Sequence, residues 1–66
     1  MITYKEMAEP AAGWRLDRVR RLRGFWEVAL QCRSTGTILD YADADLERAF
    51  TGAVRGAENY SAQRAA

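Results

Sequence analysis

The chain predicts a small α+β domain: a three-stranded antiparallel sheet packed against one C-terminal amphipathic helix. Three observations carry that expectation. Apolar residues from Leu46 to Tyr60 recur at three- and four-residue steps, the mark of a helix with one buried stripe. The segment Phe25–Cys32 alternates with a period of two, as a half-buried strand does. Arg33-Ser34-Thr35-Gly36 then supplies turn chemistry before the β-branched and aromatic run Thr37–Tyr41. With 66 residues, 48% of them hydrophobic, the chain forms a single domain over 1–66. A chain of this size buries only about 60% of its extended surface, so each apolar contact counts.

The first thirteen residues are the least defined. Thr3-Tyr4-Lys5-Glu6 has capping-box spacing, which suggests one helical turn before Pro10. Ile2 and Tyr4 suit an edge pairing as well. The next segment, Trp14 to Arg23, carries five arginines: Arg15, Arg18, Arg20, Arg21 and Arg23. Leu16, Val19 and Leu22 are spaced by three, which fits a short helix ended by Gly24. Trp14, Leu16 and Arg18 alternate, which fits a strand over about 14–19. The strand is preferred, because a lone hairpin covers a helix poorly and a third strand completes a hydrophobic surface. Arg20 to Gly24 is then the connection, and bringing Leu22 inward would take a bulge.

The second and third strands are expected over 25–32 and 37–41. Trp26, Val28, Leu30 and Cys32 share the inner face, while Phe25, Glu27, Ala29 and Gln31 share the outer one. The helix is expected over about 44–60. Asp43 is placed to cap it, with Asp45 and Glu47 in the first turn, where unpaired amides favour negative charge. Leu46, Phe50, Ala53, Val54 and Ala57 are expected to pack on Trp26, Val28, Leu30 and Leu39, with Arg48 and Arg55 toward solvent. Gly52 and Gly56 form a small-residue edge, read first as close approach to a sheet and second as a helix–helix contact. That edge and the two tryptophans also raise a homodimer as an expectation. Residues 61–66 read as a frayed tail.

Composition narrows the chemistry. Histidine is absent and Cys32 is the single cysteine, so no intrachain disulfide and no cysteine–histidine zinc site can form. Cys32, on the inner strand face, reads as a small buried hydrophobe rather than a nucleophile. Asp40, Asp43, Asp45 and Glu47 lack the alternating ligand loop and central glycine of a calcium hand. No phosphate-binding glycine loop or dinucleotide fingerprint occurs. The expectation is a protein that is not an enzyme and needs no cofactor or metal. No apolar run approaches a membrane span and no leader pattern opens the chain, so a cytoplasmic location is expected, with no membrane partner.

The formal net charge is only +1, so the five clustered arginines make a local basic patch rather than a basic protein. GC-rich coding accounts for arginine replacing lysine, but not for the clustering. Arginine forks suit carboxylates and phosphates. The candidate partner-binding residues are therefore Arg15, Arg18, Arg20, Arg21 and Arg23, flanked by Trp14 and Phe25 as aromatic area. The run reads equally as a solvated surface with no partner; of the partners, a protein is expected first, bound by a small regulatory protein that occludes a surface on a larger one. Nucleic acid is the alternative: phosphates would meet the arginines, and Trp14, Phe25 or Tyr41 would stack on bases. The acids at the helix start oppose that alternative.

Overall fold

A computed structural model describes residues 3–65. In order these form helix α1 (Tyr4–Ala8), strands β1 (Trp14–Leu22), β2 (Phe25–Cys32) and β3 (Ile38–Asp43), and helix α2 (Leu46–Ala65). The strands make one antiparallel sheet in the order β1-β2-β3, with α2 lying over β2 and β3. The α+β arrangement is the one the sequence predicts. Thr3 caps α1 by accepting the Glu6 amide at 3.2 Å, and Tyr4 lies in that helix rather than at a sheet edge. Ile2 falls outside the described residues. α1 packs on β1 and buries Met7 to 5% exposure.

β1 is longer than expected. It runs through Arg20, Arg21 and Leu22, leaving only Arg23 and Gly24 as the hairpin loop. Gly24 takes φ +81°, a conformation glycine adopts without a Cβ penalty. The register slips between Leu16 and Arg18, so Asp17 is an inserted residue on the bulged strand. The bulge resets the alternation. Trp14 and Leu16 face α2 before it, and Val19 faces α2 after it, opposite Val28. Leu22, opposite Phe25, consequently turns to the outer face. The helical reading of this segment is excluded by the ladder to β2.

The core forms where α2 crosses the sheet. Trp14, Val28, Leu30, Cys32, Ala49, Ala53 and Ala57 are its buried members. The fully buried residues of the helix are its alanines, with its larger side chains packed around them. Leu46, Phe50 and Val54 flank this stripe, half-buried and packed against the core as expected. Small side chains at four-residue spacing let the helix backbone settle close on β2, where Val28 and Leu30 fill the space. Gly52 extends the close approach toward β3: a Cβ there would collide with the Tyr41 ring. Gly56 has nothing within 4 Å of where its Cβ would be.

The ends of α2 differ from expectation. Its cap is Asp45, whose side chain accepts the Arg48 amide at 3.2 Å and whose carbonyl accepts the Ala49 amide at 2.9 Å. Asp43 instead ends β3 and steadies the corner by accepting the Asp45 amide at 3.0 Å. At the far end the helix is longer than expected and continues past Tyr60 to Ala65, with Ala66 outside the described residues. The cause is tertiary. Trp14 Nε1 donates to Ser61 Oγ at 2.9 Å, and the Trp14 and Tyr60 rings meet edge to face at 5.6 Å. The Tyr60 hydroxyl pairs with that of Thr37 at 3.1 Å. The last turns thus hold the starts of β1 and β3.

Candidate functional site: an arginine row on the helix-free face

One face of the sheet is occupied by α2. The other carries the alternate residues, and on β1 these are Arg15, Arg18, Arg20 and Leu22. The bulge at Asp17 matters here. A regular strand would send Arg15 and Arg18 to opposite faces, whereas the inserted residue places both on the helix-free side, in line with Arg20. β2 contributes Phe25, Glu27, Ala29 and Gln31 to this face, and β3 contributes Ile38, Asp40 and Ala42.

The row is pre-oriented by its neighbours on β2. Arg15 Nε donates to Gln31 Oε1 at 2.9 Å. Arg18 and Arg20 share one carboxylate oxygen, donating from Nε to Glu27 Oε1 at 3.3 and 2.8 Å. Arg18 also lies 3.7 Å from Asp17 through a terminal nitrogen. The Arg18 and Arg20 side chains remain 45% and 54% exposed while held at Nε. A guanidinium held this way loses less rotamer freedom when a partner arrives.

Glu27 is the hinge of this electrostatics. Partial burial pushes its carboxyl up, but the hydrogen bonds from Arg20 and Arg18, with their charges, outweigh burial and hold it below the ordinary carboxylate value. The ionised carboxylate cancels part of the positive field, as does exposed Asp40 on the adjacent strand. The face is therefore mixed in sign, with the basic component along one edge.

The other sequence-expected residues scatter. Arg21 points to the helix side, its guanidinium 5.5 Å from the Trp26 ring centroid, a cation–π contact. Arg23 is exposed in the hairpin loop. Trp14, expected among the partner-binding residues, is instead 2% exposed and belongs to the core, away from the helix-free face. Phe25 remains, 38% exposed at the hairpin end of the same face as Arg20. Sequence reasoning missed Gln31 and Glu27 as positioning residues. The signal was their place on the outer β2 face, but only the bulged register aligns them with the arginines.

Cys32 is buried as expected. Its sulfur lies 3.4 Å from Ser34 Oγ, and hydrogen bonds with Ser34 and then Thr35 lower the thiol to about 6. Among the described residues there is no cluster of histidine, cysteine or carboxylate side chains able to hold a metal ion, and no helix long and apolar enough to cross a membrane. No family model, curated protein or solved structure matches the chain.

Proposed function

We propose that this chain is a small non-catalytic protein-binding or regulatory protein whose working surface is the helix-free face of β1. The observation that supports it is the alignment of Arg15, Arg18 and Arg20, each oriented through Nε by Gln31 or Glu27. Oriented arginines beside an exposed aromatic such as Phe25 are the composition that binding hot spots favour. The mixed sign of the face suits a protein surface with complementary charges better than a uniform polyanion. The protein would act by covering an acidic patch on a larger partner.

Nucleic acid is the second reading, favoured by Phe25 lying on the same face as the arginine row, where it can stack on a base. Glu27 and Asp40 on that face weigh against phosphate. Affinity capture from lysate, with and without nuclease, separates the two. A protein retained after nuclease and lost with Arg15, Arg18 and Arg20 replaced by alanine supports the proposal. Capture that depends on intact nucleic acid supports the alternative.

A further inference from the structure

β1 is an edge strand, and its outer edge coincides with the densest arginine run. The two-residue Arg23–Gly24 loop makes Leu22 and Phe25 the hydrogen-bonded closing pair of the hairpin. Alternation back along the register then leaves the backbone N–H and C=O of Arg21 and Val19 pointing away from β2. The same parity is visible at the strand's start, where the Trp14 amide turns outward to the Ala11 carbonyl at 3.0 Å. Among the described residues no such backbone bond reaches Val19 or Arg21 from that side. An unpaired edge of this kind is a template for another strand.

Charge decides which strand. A second copy of β1 laid antiparallel would set arginine against arginine, and like charges directly opposite are unfavourable. A strand bearing carboxylates at every second position would meet Arg18 and Arg20 on the helix-free face, while its intervening residues would lie beside Val19 and Arg21. The Asp17 bulge interrupts the regular ladder, so the usable stretch is Arg18–Leu22. We infer that this edge takes up an extended acidic segment of a protein partner as an antiparallel fourth strand, a refinement that rests on the arginine-surface reading above. Backbone pairing at Val19 and Arg21 supplies the docking, and Arg18 and Arg20 select for acid.

The test uses the whole protein and two synthetic peptides alternating glutamate and valine, one unmodified and one N-methylated at the valines. The valines are the positions whose amides would face Val19 and Arg21, so methylation removes the pairing and leaves the charge. The unmodified peptide should bind, slow amide exchange at Val19 and Arg21, and outbind the methylated peptide by roughly tenfold or more, since two or more backbone hydrogen bonds are lost. Equal binding of both peptides would overturn strand addition while leaving the arginine surface standing. Failure of both to bind would overturn it as well. Slowed exchange at the same two amides in the protein alone, with a dimer on sedimentation, would assign the edge to a second copy and also overturn it. The arginine-surface reading itself falls on a different result: partner capture unaffected by alanine at Arg15, Arg18 and Arg20.

Discussion

Glu27 concentrates the account into one side chain, because a single carboxylate orients two of the three arginines in the row. Its folded-state pKa lies below the ordinary value of 4.5. Its stabilising contribution is therefore fully present above that value and is lost as pH falls through the lower folded-state value. Acid unfolding followed by tryptophan fluorescence should show Glu27→Gln with a weaker pH dependence below 4.5 than the parent chain; identical acid limbs would mean that the pair contributes nothing. Cys32 offers a second residue-level check. Its thiol is lowered to about 6 yet is only 7% exposed, so alkylation of the folded protein should be slow and become fast on denaturation. Fast labelling under native conditions would contradict its burial.

At the scale of elements, the C-terminal turns of α2 and the two glycines make distinct demands. Ser61→Ala should cost about 1–2 kcal/mol in denaturant unfolding, because it leaves the part-buried Trp14 indole N–H without its acceptor. A neutral result would mean that residues beyond Tyr60 fray, as the local sequence suggests. Gly56→Ala should stabilise by up to about 1 kcal/mol, since alanine is the better helix former and no neighbour lies in the way. Gly52→Ala should lose that gain, because the Tyr41 ring must move, and should recover it when Tyr41 is also alanine. A gain at Gly52 equal to that at Gly56 would show that the Tyr41 contact does not constrain the helix.

These elements also show what the sequence could disclose. The α2 stripe and the β2 alternation were legible because each is a simple period over many residues. The extent of β1 was not, since the Asp17 insertion breaks the period midway and brings inward Val19, which plain alternation from Trp14 and Leu16 would send to the outer face. The helix end was hidden for another reason: Ser61 is held by Trp14, a residue far away in the chain, and no local pattern announces a tertiary hydrogen bond. The buried role of Trp14 follows from the same contact. Among the candidate residues, Arg15, Arg18 and Arg20 come together only because of the bulge, and Arg21 leaves the group because it is one residue out of phase.

As a whole molecule, the protein is a two-layer arrangement in which α2 covers one sheet face and the other carries a basic edge beside Glu27 on the central strand and Asp40 on the far one. Trp14 is absorbed into the core and Trp26 is half-buried beneath Arg21. That accounts for much of the apolar surface that raised a homodimer in the sequence reading. The proposed function rests on the geometry of the arginine row rather than on overall charge, which is only +1.

The most direct test compares two triple variants of equal charge against a captured protein partner, with binding measured by calorimetry. One replaces Arg15, Arg18 and Arg20 by alanine; the other replaces Arg33, Arg48 and Arg55, which lie in a loop and on the exposed side of α2. The first should lose about a hundredfold or more in affinity, at roughly 1 kcal/mol or more per arginine, and the second should change little. Equal losses for both would reduce the effect to net charge, and no loss for the first would contradict the proposed surface outright.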